Sequence, residues 1–156
     1  MKRSFPLFKN IKHINLRDIA PLIAGLVCVL AFAPFNFYPL AVVSLIVLLL
    51  SWNNVSKSRA FWRGLLYGIG LSSGGVYWLY ISIHQFSDAP AFAALALTAL
   101  VILYLALFPA FAGYLLMRFF CGCRFMHYLC AFPALFSIFE WARSWAFTGF
   151  PWLALG

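Results

Sequence analysis

The chain consists of long apolar runs separated by short polar connections. Runs of this kind predict helices, and about 20 apolar residues suffice for a helix to cross the hydrocarbon core of a bilayer. Five spans are predicted, at about residues 19–33, 39–52, 64–83, 91–117 and 128–147. Residues 19–156 are therefore expected to form an all-α, polytopic transmembrane helix bundle, and residues 1–18 a basic N-terminal segment.

Two predicted spans are shorter than about 20 residues and are joined by a proline-bounded turn. Pro34 and Pro39 enclose this turn, and each proline lacks an N–H and disfavours helix in the residue before it. The first two spans are thus expected to form a tight helical hairpin. Pro109 lies within the long fourth span and predicts a kink there.

Composition identifies the class of protein independently of the spans. Hydrophobic residues make up 65% of the 156 residues, aromatic residues 20% and charged residues only 9%. These values are far outside the range of soluble globular proteins. An integral membrane protein is predicted, with little room for a separate soluble domain.

The net charge of +8 arises from basic residues at alternate connections. The turns at 34–39 and 84–90 contain no Lys or Arg. By the positive-inside rule, the N-terminus is cytoplasmic, and residues 1–18 either lie along the inner leaflet or form a disordered tail. Nucleic-acid binding is not expected, because the charges follow the topology. The basic clusters are Lys2, Arg3, Lys9, Lys12 and Arg17; Lys57, Arg59 and Arg63; and Arg118 and Arg124.

Small residues recur every four positions in the third span. Gly64, Gly68 and Ser72 form one stripe, and Gly70 and Gly74 form a neighbouring one. Small residues at this spacing allow another helix to approach closely. Helix packing is predicted rather than cofactor binding, and no cofactor is expected.

Two polar clusters are candidate functional sites, but each also has a purely structural interpretation. Ser82, His84, Ser87 and Asp88 either form a hydrolytic site or, as we favour, a polar helix end at the level of the lipid head groups, where His84 could contact a phosphate. The second cluster has the residue types of a metal site but not the usual spacing of paired cysteines, so reduced thiols are expected and no metal. Its members are Cys121, Cys123, His127 and Cys130.

Glu140 is the acidic residue placed well inside a predicted span. A charged residue there usually faces a partner or a wet cavity. Arg143 lies three residues further on, on the same face of the helix, and could pair with it. Two interpretations remain open: a structural ion pair whose arginine extends to the outer head groups, or a functional site.

Four blocks resemble, in order, the bacterial apolipoprotein N-acyltransferases, which complete lipoprotein maturation. The resemblance covers roughly residues 30–156, and one departure is Ser144, where the family usually has Gly. The blocks are LAFAP at 30–34 with Pro39, WLYISI at 78–83, residues 131–135 with Glu140 and Arg143, and TGFPW at 148–152.

The resemblance implies an eight-span bundle in the bacterial inner membrane, with a nitrilase-like periplasmic domain inserted between the last two spans. A Glu-Lys-Cys triad in that domain would take an acyl chain from a phospholipid and pass it to the N-terminal diacylglyceryl-cysteine of a lipoprotein. The chain corresponds to the N-terminal five spans, so it is expected to be truncated, to hold no catalytic residue and to be inactive alone.

Within a complete enzyme, Phe150 and Trp152 would line the lateral access for acyl chains, and Glu140, Arg143 and His84 are further candidates for substrate binding. Trp152 has an equally acceptable interpretation as an ordinary interfacial anchor. An alternative function, from another class, is a non-enzymatic lipid-binding or transport module that uses Glu140 and Arg143.

Overall fold

The computed structural model describes residues 16–86, 90–120 and 130–146. All regular structure in these ranges is helical, which confirms the all-α class. A short 3₁₀ turn, Val29–Ala31, follows the first helix. The α-helices are α1 (Leu16–Cys28), α2 (Pro39–Ser51), α3 (Lys57–Gly75), α4 (Tyr77–Phe86), α5 (Ala91–Phe119) and α6 (Phe132–Trp145).

The predicted hairpin between the first two helices is confirmed. The chain turns within residues 32–38, where the amide of Phe37 donates to the carbonyl of Leu30 at 3.1 Å. Asn36 adopts a left-handed backbone conformation with φ of 54°, which asparagine tolerates better than most residues. Pro39 then starts α2, where its missing N–H has no helical partner to lose.

The third predicted span differs from the structure, because residues 64–83 belong to two helices instead of one. The first, α3, begins seven residues earlier, at Lys57, where the side chain of Ser56 caps it by accepting from the amide of Arg59 at 3.4 Å. It ends at Gly75, and buried Val76 separates it from α4. Two adjacent glycines, Gly74 and Gly75, explain the break, because glycine is the weakest ordinary helix former.

Helix α3 lies at the centre of the bundle, between α1 and α5. Asp18 of α1 pairs with Arg63, and Leu22 lies against Gly70 further along, so α1 and α3 run parallel. Ser44 and Ser51 of α2 contact Tyr67 and Arg63, respectively, so α2 runs in the opposite direction. Successive long helices therefore alternate in direction.

The small-residue stripes of α3 form its two main contacts, as predicted. Gly64 lies against the backbone of Pro109 and Ala110 on α5, and Gly68 lies against Ala106. On the neighbouring stripe, Gly70 meets the backbone of α1 at Leu22. A side chain at these positions would collide with backbone atoms, so glycine permits the close approach of all three helices.

Helix α6 packs mainly against α5. At its start, the Phe132 ring makes an edge contact with the Trp52 ring, with centroids 5.8 Å apart. At its end, the Tyr104 hydroxyl donates to the carbonyl of Ala146 at 3.4 Å.

Among the described helices, α5 is the one whose length and apolar composition together suffice to cross a membrane. It contains 29 residues, including Pro109. Helix α2 is apolar but has 13 residues, which is short for a bilayer core of about 30 Å.

Candidate functional site

The predicted pairing of Glu140 and Arg143 is confirmed. Both residues lie on α6, three positions apart, and an Arg143 Nη2 proton is donated to Glu140 Oε2 at 2.7 Å. The Arg143 side chain is 5% exposed and that of Glu140 is 22% exposed. Arg143 also lies in the last turn of α6, where the helix dipole favours a positive charge.

Next to this pair, the bundle interior contains a polar cluster that the sequence analysis did not identify. Ser44 donates its hydroxyl proton to the carbonyl of Ala24 at 2.8 Å, and its oxygen is 3.0 Å from the Tyr67 hydroxyl. Because Ser44 has one proton to donate, Tyr67 donates to Ser44. This chain of hydrogen bonds connects α3, α2 and α1, and the buried Cys28 lies beside it.

Phe136 and Phe139 of α6 pack against the core cluster that contains Cys28 and Tyr67, and the Arg143 side chain is buried. The Glu140–Arg143 pair therefore lies against the interior of the bundle rather than on its outer surface. The Glu140 carboxylate and the Arg143 guanidinium together place a fixed dipole inside an otherwise apolar helix bundle.

A second buried ion pair involves a residue that the sequence analysis treated only as part of a topological charge cluster. Arg63 Nε donates to Asp18 Oδ1 at 2.7 Å, and Nη1 donates to the carbonyl of Ser51. The side chains of Arg63 and Asp18 are 6% and 14% exposed. One arginine thus joins the starts of α1 and α3 to the end of α2, and its charge is neutralised locally.

His84 lies near the end of α4, exposed, with its ring stacked on Tyr80 at a centroid distance of 5.8 Å. Of the other members of its predicted cluster, Ser82 lies on α4, and Ser87 and Asp88 lie outside the described residues. Phe150 and Trp152 also lie outside them.

Of the four residues weighed as metal ligands, Cys130 is described and is exposed. Cys121, Cys123 and His127 lie outside the described residues. No group of three or more potential metal ligands occurs in the three described ranges.

Comparison with known proteins gives one consistent result. The family model described as the apolipoprotein N-acyltransferase N-terminal domain matches residues 24–156. Apolipoprotein N-acyltransferase of Vibrio cholerae is 42% identical over 146 residues, covering 94% of this chain and 29% of the relative. That of Coxiella burnetii is 44% identical over 142 residues, covering 90% of this chain and 29% of the relative.

A third relative, from Methylococcus capsulatus, is 42% identical over 135 residues, covering 86% of this chain and 27% of its own length. The chain thus spans less than a third of the length of these curated relatives. The alternative of a non-enzymatic lipid-binding or transport module is not favoured by these relatives.

Proposed function

Because the chain belongs to the apolipoprotein N-acyltransferase family, we propose that it forms the N-terminal membrane portion of an enzyme of lipoprotein maturation. The complete enzyme would transfer an acyl chain from a phospholipid to the N-terminal diacylglyceryl-cysteine of a lipoprotein. The observation that carries this proposal is the family match, which extends from residue 24 to residue 156.

The 156-residue chain alone is proposed to be inactive. Its relatives are more than three times as long as the part they share with it. Cys28 is buried, and a reactive thiolate needs a partly exposed, electropositive setting. The Glu-Lys-Cys triad would lie in the remaining part of the complete enzyme.

We also propose that the chain crosses the bacterial inner membrane five times, at about residues 19–33, 39–52, 64–83, 91–117 and 128–147, with a cytoplasmic N-terminus. The distribution of polarity supports this proposal: charged Arg63 and Arg143 are buried, whereas many large apolar side chains are exposed. In water this arrangement would be costly, but in lipid it satisfies both kinds of side chain. The alternating helix directions are also those that a multi-pass chain requires.

For substrate contact, we propose Glu140 and Arg143 together with His84, Phe150 and Trp152. The buried ion pair supports the first two, since ionisable residues inside a span often mark functional sites. His84 is exposed beside Tyr80 at the end of α4, and a neutral or protonated imidazole can donate to a lipid phosphate.

A hybrid enzyme tests the proposed function. Residues 1–156 would replace the matching N-terminal part of the Vibrio cholerae relative, and transfer of a labelled acyl chain from phospholipid to a diacylglyceryl-cysteine peptide would be measured in detergent. The hybrid is expected to be active and the 156-residue chain alone inactive. If the 156-residue chain alone transfers the acyl group, the proposal that it is inactive is wrong. If the hybrid folds but is inactive, residues 1–156 do not perform the role of the relative's N-terminal part.

The same hybrid tests the role of Trp152. Replacing Trp152 by Ala is expected to lower acyl transfer at least tenfold if its ring lines the acyl path. Unchanged activity at normal expression would instead leave Trp152 as an interfacial anchor.

A further inference from the structure

The two most exposed large apolar side chains of the described residues lie on either side of the connection between α4 and α5. Phe86, the last residue of α4, is 85% exposed, and Phe92, the second residue of α5, is 76% exposed. The two helices pack against each other and form a hairpin, whose end at these two phenylalanines we call the tip. Neither α4 nor the first three turns of α5 contain Lys, Arg, Asp or Glu.

The start of α5 extends beyond the end of α3. Ala106 of α5 lies against Gly68 of α3, so distances along the two antiparallel helices can be compared from this contact. Helix α5 starts at Ala91, 15 residues before Ala106, which is about 22 Å of helix. Helix α3 ends at Gly75, 7 residues after Gly68, which is about 10 Å. Helix α5 therefore continues for about 12 Å past the end of α3.

The other helices do not accompany the start of α5. Val29, which follows α1 directly, lies against Gly74, so the α1–α2 hairpin turns near the level at which α3 ends. Helix α6 ends where the carbonyl of Ala146 accepts from the hydroxyl of Tyr104, 13 residues after Ala91. In the described part of the chain, α4 is thus the main helical neighbour of the first turns of α5.

The exposure of the side chains agrees with this arrangement. Helix α4 contains no buried residue. Among the first ten residues of α5, Ala94 and Thr98 are buried, and they lie on one face of the helix because they are four positions apart. Leu95, Leu97 and Leu100 lie outside this face and are exposed. The α4–α5 hairpin therefore has an uncharged apolar surface that no described helix covers.

Under the proposed membrane embedding, the tip lies beyond the outer head groups. The 19 residues of α3 span about 28 Å, which matches a hydrocarbon core of about 30 Å. Exposed Tyr38, Tyr77 and Trp145 lie where α2 and α4 start and α6 ends, and such side chains favour the membrane–water boundary. A head-group layer adds about 5–8 Å on each side. A further 12 Å of α5, about as derived above, would thus bring Phe86 and Phe92 into water on the periplasmic side.

The length of the relatives indicates what covers this surface. The chain covers 29% of the Vibrio cholerae relative, and the proposed Glu-Lys-Cys triad would lie in the remainder. Exposed apolar surface on the aqueous side is typical of a contact with another protein surface, and aromatic side chains are enriched in such contacts.

We propose that the tip of the α4–α5 hairpin, with Phe86 and Phe92, is the docking surface for the soluble catalytic part of the complete enzyme. This inference rests on the proposed function and on the proposed membrane embedding. Docking at the tip would hold the catalytic part at a fixed height above the lipid from which it takes the acyl chain.

Photocrosslinking in the hybrid enzyme tests the docking surface. The hybrid would carry p-benzoylphenylalanine at one position and a specific protease site after residue 156, and would be irradiated in membranes and then cleaved. With the photoreactive residue in place of Phe86 or Phe92, the two parts are expected to remain attached, and mass spectrometry should locate the attachment in soluble peptides of the remainder. Phe119, 68% exposed at the opposite end of α5, is the matched control, and its replacement should give no attachment to soluble peptides.

Every other attachment pattern would overturn the docking surface. Attachment of the tip to phospholipid would place it within the bilayer. Attachment to apolar spans of the remainder alone, or to a second copy of the hybrid, would identify a different contact. Absence of attachment at both Phe86 and Phe92 would show that the tip stays in water, and equal attachment to soluble peptides from Phe119 would show that the reaction does not depend on position.

Serine variants of the hybrid measure what the contact contributes. Phe86→Ser with Phe92→Ser is expected to lower acyl transfer at least tenfold and to speed proteolysis of the soluble part at least fivefold, because aromatic side chains dominate protein contacts. Phe119→Ser should change either rate less than twofold. Equal effects of the double variant and Phe119→Ser would contradict docking at the tip.

The two proposals fail separately. An unsubstituted hybrid that folds but does not transfer the acyl chain would contradict the proposed function, and its crosslinks would still report the contact. An active hybrid without attachment at the tip would contradict the docking surface alone.

Discussion

At the scale of single residues, the buried pair of Asp18 and Arg63 makes a clear prediction about stability. Arg63→Gln removes the buried guanidinium that pairs with the half-buried carboxylate of Asp18 and donates to the Ser51 carbonyl. The free energy of unfolding should fall by about 1–3 kcal/mol, since a buried side chain loses its hydrogen bonds to a charged group and to a carbonyl. Denaturant titration in detergent, followed by circular dichroism, measures this loss.

Arg59→Gln is the control for that measurement, because it removes the same charge from the same helix without breaking a buried pair, and it should change stability by less than about 0.5 kcal/mol. The double variant Asp18→Asn with Arg63→Gln should lose less than the sum of the two single changes. Strict additivity would contradict the coupling of Asp18 and Arg63.

The Glu140–Arg143 pair calls for a test that separates structure from function. Exchanging the two residues, as Glu140→Arg with Arg143→Glu, keeps opposite charges three positions apart on α6. If the pair is structural, the exchange should restore at least half of the stability lost in Glu140→Ala and also restore acyl transfer in the hybrid enzyme. If the pair contacts substrate, stability should return while acyl transfer stays at least tenfold reduced.

At the scale of helices, the contact between α3 and α5 depends on the absence of a side chain at Gly68. A Cβ atom there would lie 2.5 Å from the Cα of Ala106, which no rotation of a side chain can relieve. Gly68→Ala should therefore destabilise the protein by about 1–3 kcal/mol, although alanine is the better helix former. Measuring the free energy of unfolding of both proteins in detergent shows whether Gly68→Ala stabilises or destabilises the bundle.

Gly74→Ala is the companion variant. Its Cβ would meet a side-chain methyl of Val29, Cγ2 at 2.8 Å, rather than a backbone atom. Its cost should be smaller than that of Gly68→Ala, because a valine side chain can move more easily than a helix axis. A larger cost at Gly74 than at Gly68 would contradict the packing described for α3.

The helices also show which parts of the structure could be predicted from sequence. Local signals were sufficient for the turn bounded by Pro34 and Pro39, for the small-residue stripes of α3 and for the pairing of Glu140 with Arg143. The break at Val76 was not predicted, because Gly74 fits equally well as a packing residue within one continuous helix. The contacts of Ser44 with Tyr67 and of Arg63 with Asp18 join residues 23 and 45 positions apart, and no periodicity within one helix encodes such pairs.

At the scale of the whole molecule, buried polar residues within a mostly apolar core accompany many exposed large apolar side chains. The interior holds Ser44, Arg63, Ser72, Thr98 and Arg143, each with a hydrogen bond or a close helix contact, whereas apolar side chains cover much of the outside of α1, α2 and α5. Small residues at the helix contacts and polar contacts inside are the means by which helices associate in lipid, where apolar burial between helices gives little driving force. This distribution supports the proposed placement of the bundle in lipid.

Orientation in the membrane can be tested with one cysteine at each end of the bundle. In a variant whose four native cysteines are replaced by alanine, Gln85→Cys places an exposed thiol at the end of α4 and Lys57→Cys places one at the start of α3. Under the positive-inside rule, Gln85→Cys should react with a membrane-impermeant maleimide on intact spheroplasts, and Lys57→Cys should react only after permeabilisation. The reverse pattern would invert the proposed topology, and reaction of both thiols in intact spheroplasts would mean that the two ends of α3–α4 do not lie on opposite sides of the bilayer.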